Sequence, residues 1–114
     1  MEPTRGRDLW EQIAGWAAAL ADDEDLDPKT AALYGHATRR FATWLHTRRR
    51  GAAAADVTVD DARAYREALL ACGLAPGTIN RSLTALRLFF DRVVPGSGEA
   101  TPNPFRAVPL VPRR

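Results

Sequence analysis

From Pro76 onward the chain sets Ile79, Leu83, Leu86 and Phe90 at i, i+4, i+7 and i+11, and Pro95-Gly96 closes the run. That spacing gathers the four side chains on one face of a helix but scatters them over both faces of a strand, so the segment is an amphipathic helix. An apolar stripe must be covered by another element, and the rest of the chain offers elements of the same kind. Over residues 8–21, Leu9, Trp10, Ile13, Trp16, Ala17 and Leu20 recur at helical spacing, with Asp8 and Glu11 placed as a capping box. The acidic run Asp22, Asp23, Glu24, Asp25 breaks this pattern, and Asp27-Pro28 supplies an N-cap and a first-turn proline for a second helix. That helix extends to about Arg50, with Tyr34, Ala37, Phe41, Trp44 and Leu45 on its buried stripe and Gly51 as its stop. Past a bland linker over 52–55, Thr58 and Asp61 form another capping box and open a third helix, with Ala62, Tyr65, Ala68, Leu69 and Cys72 inward and Gly73 at its end. No apolar alternation calls for a strand. The expected fold class is all-α: a compact four-helix bundle, followed from Gly96 by an extended Pro-rich tail that packs around Phe105 and then leaves the domain.

Length bounds this reading to one domain, since 114 residues hold one core and hardly a second. The start of the chain has no apolar stretch suited to a secretory signal, and no run is long and apolar enough for a bilayer. Cys72 is the only cysteine, so no internal disulfide can form, and a reducing cytoplasm is the expected location. His36, His46 and Cys72 are too few and too scattered for a structural zinc site, and no glycine-rich phosphate loop is present. No metal or cofactor is expected.

The formal net charge of +2 conceals a division. Residues 1–27 carry two basic against eight acidic side chains, and residues 28–114 carry fourteen against six. One positive face on the folded domain would attract polyanions, which makes nucleic acid the leading partner class. On the second helix the side away from Phe41 presents Lys29, His36, Arg39, Arg40 and Thr43. On the fourth, Thr78, Arg81, Thr84 and Arg87 sit off the apolar stripe, with Thr78 in the first turn, where free amides favour a phosphate or where it serves as a simple cap. A solvated face is the plain alternative for each such residue. Arg48, Arg49 and Arg50 crowd a helix C-terminus, where cations have a structural use. Leu9, Trp10 and Trp16 offer more apolar surface than docking of so short a helix needs, which suggests contacts between protomers through the first helix.

Thr30 with Tyr34, Phe41, Trp44 and Leu45, then Val57-Thr58, Gly73-Leu74, the string from Thr78 to Arg87 (Thr-Ile-Asn-Arg-Ser-Leu-Thr-Ala-Leu-Arg) and Asn103-Pro104 together resemble the core-binding, SAM-like domain of tyrosine recombinases (phage integrases). The likeness runs from Trp10 to Val108 and is sharpest in the fourth helix. One departure is Ala75, where many relatives carry a capping serine, a change worth roughly 1 kcal/mol locally. The resemblance implies a module that grips double-stranded DNA as one jaw of a clamp, with the second and fourth helices near the major groove. Lys29, Arg39, Arg40 and Arg87 would then hold phosphates and Arg81 and His36 would read bases, with Thr30, Thr43, Thr78 and Thr84 completing the contact set.

Such recombinases carry their arginine, histidine and tyrosine constellation in a C-terminal catalytic domain, which is absent from this sequence, so no catalytic residue is expected. Residues 1–108 are read as the DNA-binding domain and 109–114 as the start of a linker to that domain. His36-Ala-Thr-Arg39 does match the His-x-x-Arg spacing of the family's active site, but this spacing arises readily in a chain with fifteen arginines. Tyr34 and Tyr65, the candidate nucleophiles, both fall on apolar helix faces and read as core. The competing function is a helical protein-interaction module whose basic arcs bind an acidic partner.

Overall fold

Capping side chains and prolines determine where the helices begin. Asp27 accepts the Lys29 amide at 2.8 Å and Pro28 occupies the first turn of the long second helix. Thr58 and Asp61 form a reciprocal box: the Thr58 hydroxyl accepts the Asp61 amide at 3.1 Å, and the Asp61 carboxylate accepts the Thr58 amide at 2.9 Å. Pro76 opens the fourth helix. In the computed structural model, which describes residues 9–93 and 103–112, the helices are α1 (Leu9–Ala21), α2 (Pro28–Arg48), α3 (Val59–Ala71) and α4 (Pro76–Val93). Gly51 and Gly73 follow α2 and α3 with φ of 73° and 77°, the left-handed region that a side chain disfavours. Two 3-10 turns, Ala54–Asp56 and Pro104–Ala107, complete the regular structure, and no strand occurs among the described residues. The expected Asp8 cap and Pro95-Gly96 stop lie outside the described residues.

The apolar stripes meet in one core. Ile79, Leu83, Leu86 and Phe90 of α4 are fully buried, as the spacing requires. Phe41 of α2 stands at the centre of an aromatic cluster, its ring 5.0 Å from Tyr65, 5.2 Å from Phe105 and 6.1 Å from Phe90, each edge to face. Trp16 of α1 sets its edge against Phe89 at 5.3 Å. Two expectations fail here. Cys72 is exposed, because it is the C-cap of α3 and lies past Leu69, the last residue of that helix to reach the core. Leu9 and Trp16 are buried in the domain's own core, which leaves Trp10, 41% exposed, as the exposed large apolar side chain of α1.

The C-terminal segment packs around Phe105 as expected, but it does so through a short 3-10 turn. Asn103 caps the Pro104–Ala107 turn by accepting the Phe105 amide at 2.9 Å, and Phe105 and Val108 are buried. A polar stripe along α4 holds this segment: Asn80, Thr84, Arg87 and Asp91 recur at i, i+4, i+7 and i+11. The Asn80 amide pairs with Val111 in both directions, donating to its carbonyl at 2.9 Å and accepting its amide at 2.7 Å. Arg87 donates to the carbonyls of Phe105 at 3.2 Å and Val108 at 2.7 Å. Asp91 accepts from Asn103 at 2.8 Å and pairs with Arg106. From α3, Arg66 donates to the Pro109 carbonyl at 2.8 Å. Bonds to α3 at Pro109 and to α4 at Val111 therefore continue beyond the expected boundary at 108.

Candidate nucleic-acid interface

Along α2, Lys29, Leu33, His36, Arg40 and Thr43 follow one another at i, i+4, i+7, i+11 and i+14, and all five are exposed. The facing part of α4 contributes Thr78 and Arg81. His36 and Arg40 share a depression of about 190 Å³ with Thr78 and Arg81, and Leu33 forms part of its wall. No acidic side chain lines it. Lys29, Arg40 and Arg81 make no ion pair among the described residues, so their charge is uncompensated at short range. Two helices far apart in sequence thus present cations, hydroxyls and one imidazole to the same space.

Other expected contacts are placed elsewhere. Arg39 folds back along α2, and a Cβ added at Gly35 would lie 3.3 Å from its Nη1 and 3.7 Å from Ala17 of α1, so its head lies towards α1. Thr30 is half-buried, and the Thr43 hydroxyl donates to the Arg39 carbonyl at 3.1 Å. Arg87 is the clear correction: its donors serve the Phe105 and Val108 carbonyls, turning it away from the Arg81 side of the helix. Thr84, half-buried, shares that stripe by helical spacing. Arg48 and Arg49 do have a structural use, though not the expected one. Both bind the buried Asp61 carboxylate, at 3.0 and 2.8 Å, and Arg48 also lies over the Trp44 ring at 5.4 Å. Burial of Asp61 acts to raise its pKa, but the Thr58 amide, Arg48 and Arg49 outweigh it and hold the carboxyl below its usual range.

Tyr65 lines a larger groove between α2 and α3, of about 670 Å³. Its hydroxyl is buried without a hydrogen-bond partner, whereas a core tyrosine ordinarily keeps its hydroxyl at the rim. Burial pushes the phenol up to about 12 against the opposing charge of Arg40, the reverse of what a nucleophile needs. Among the described residues no three His, Cys, Asp or Glu side chains are grouped to hold a metal ion, and no helix is long and apolar enough to cross a membrane.

Sequence reasoning missed Leu33 as part of the interface face, and the distant partners of Asn80 and Asp61. Leu33, 52% exposed beside Arg40, lies on the face that periodicity marks as polar, and its spacing from Lys29 and His36 was the available signal. Asn80 and Asp61 act on distant backbone and side-chain groups that spacing alone does not reveal. No curated protein and no solved structure matches the chain. Residues 13–94, which include α2, α3 and the paired faces of α2 and α4, match the family model of the phage integrase N-terminal SAM-like domain, and the chain belongs to that family.

Proposed function

We propose that the chain binds duplex DNA as the core-binding part of a site-specific tyrosine recombinase, laying the α2 row and the start of α4 against the major groove. The observation that carries this reading is the acid-free depression in which His36 and Arg40 meet Thr78 and Arg81. Lys29 and Arg40 hold phosphates, and Thr78, in the first turn of α4, adds a hydroxyl close to that helix's free amides. Arg81 and His36 reach base edges, and Leu33 supplies apolar contact for a thymine methyl. Arg39, Thr30 and Thr43 flank the row, and Thr84 and Arg87 drop out of the contact set. The covalent chemistry of recombination belongs to a catalytic domain of the parent protein, which works on DNA in the cytoplasm.

A fluorescence-anisotropy titration of labelled duplexes between about 50 and 200 mM salt tests the proposal, since each neutralised phosphate contributes about 0.9 to the slope of log K against log salt. Arg40→Ala is expected to weaken all duplexes alike and flatten the slope by about one unit, whereas Arg81→Ala relaxes sequence preference. Weak, salt-insensitive binding would instead mark the domain as a helical protein-interaction module and end this reading.

A further inference from the structure

The α2–α3 groove contains a feature that duplex binding does not use. Its wall is apolar where Trp44, Leu69 and Leu74 line it, and cationic where Arg40 lines it, with His36 and Arg39 beside. Within it stands Tyr65, 2% exposed, whose hydroxyl has no partner. An unmatched buried donor costs stability, so a fold that retains one beside an open groove gains by offering it an acceptor. About 670 Å³ lies in the range of small-molecule sites, and apolar walls with a few convergent polar groups are their usual chemistry.

We propose that this groove binds a small amphipathic anion, an aliphatic or aromatic carboxylate whose chain lies on Trp44, Leu69 and Leu74 and whose head is held by Arg40 and the Tyr65 hydroxyl. Three observations fix the class of ligand. Arg40 brings a full positive charge to the groove and no acidic side chain lines it, which selects an anion. The phenol donates, which selects an oxygen acceptor. The wall away from Arg40 is mostly apolar, with Trp44, Ala68, Leu69 and Leu74, which selects an apolar tail. His36, Arg39 and Arg40 also belong to the proposed DNA contacts, so occupancy weakens duplex binding; this consequence alone rests on the proposed function.

The probe is 1-anilinonaphthalene-8-sulfonate, an aromatic anion that fluoresces in apolar surroundings, titrated into the folded 114-residue chain without DNA. The expected result is saturable one-site binding, displaced by octanoate and not by octylammonium. Arg40→Gln weakens binding at least about tenfold, as expected for a charge-assisted contact. Tyr65→Phe, which keeps the ring, weakens octanoate by several fold. Ala68→Trp fills the groove and abolishes binding. Should that variant fail to fold, octanoate protection of Cys72, the exposed thiol on the same groove, against N-ethylmaleimide supplies the answer on the unaltered chain. Absence of saturable binding, equal displacement by octylammonium, persistence of the signal in folded Ala68→Trp, or an unprotected Cys72 overturns the proposal. Because DNA is absent from every arm, these outcomes are independent of whether the duplex reading stands.

Discussion

Arg87 separates the two uses that an arginine on α4 can have. It lies on the helix whose start belongs to the proposed DNA interface, yet its guanidinium bridges the Phe105 and Val108 carbonyls and so clasps the C-terminal segment to the core. A hydrogen bond from a charged donor contributes about 1.5–3 kcal/mol when well formed. Arg87 is partly exposed, and one of its two bonds is long at 3.2 Å, so the lower end applies and Arg87→Ala should cost about 2–3 kcal/mol. For a domain of this size that corresponds to a fall in Tm of about 10 °C. Urea unfolding followed by circular dichroism measures the loss, and Arg87→Met, which keeps most of the stem, separates the lost donors from lost packing. The salt slope for DNA, measured on the same variants at a temperature where they remain folded, should match that of the unaltered chain. A variant with stability within about 0.5 kcal/mol of the parent and a flattened salt slope would refute the placement and return Arg87 to the DNA contacts.

Asp61→Ala removes the amide cap of α3 and leaves Arg48 and Arg49 without their carboxylate; with about 1 kcal/mol for the cap and less for each half-exposed arginine, a loss of about 2 kcal/mol is expected in chemical denaturation. The Asp61 carboxyl is held below its ordinary value of 3.8, so its contribution is present above that pH and disappears as acid titrates through the lower folded value. A stability profile below about pH 4 should therefore fall more steeply for the parent than for Asp61→Asn. Tyr65→Phe deletes an unpartnered hydroxyl and should stabilise the fold by up to about 1 kcal/mol. The Tyr65 phenol, raised from 10.0 to about 12, resists ionisation in the folded state, so parent stability should fall between those values as the unfolded chain loses its proton first. Tyr65→Phe should lack that decline, and an identical alkaline profile for the two chains would count against the burial of the hydroxyl.

The helices were legible in the sequence because their signals are local. A capping box at Thr58 and Asp61, a proline at position 28 or 76 and a glycine at 51 or 73 each act within one helical turn, and all recur in the structure. The meeting of His36 and Arg40 with Thr78 and Arg81 was legible only as two separate arcs, since periodicity gives the face of a helix but not the neighbour that faces it. That the Arg87 side chain binds the C-terminal segment was hidden for a related reason. Off the apolar face, α4 carries two polar rows, and nothing in their composition shows that one of them binds the chain's own C-terminal backbone. Cys72 illustrates a boundary effect: the helical pattern extends through it, but the last turn of α3 reaches past the core that the pattern assumes.

The burial of Phe105 against Phe41 and Phe90 bears on how the polypeptide is made. During translation, α1 to α4 have all been synthesised before the residue that completes their aromatic centre, and Phe105 must also clear the ribosomal exit tunnel before the core can close. A nascent chain tethered short of that point holds its helices around an incomplete centre with apolar surface open to solvent, a state prone to association. Closure of the aromatic centre thus waits on Phe105, and Asn80, by pairing with both backbone groups of Val111, ties the residues that follow it back to α4.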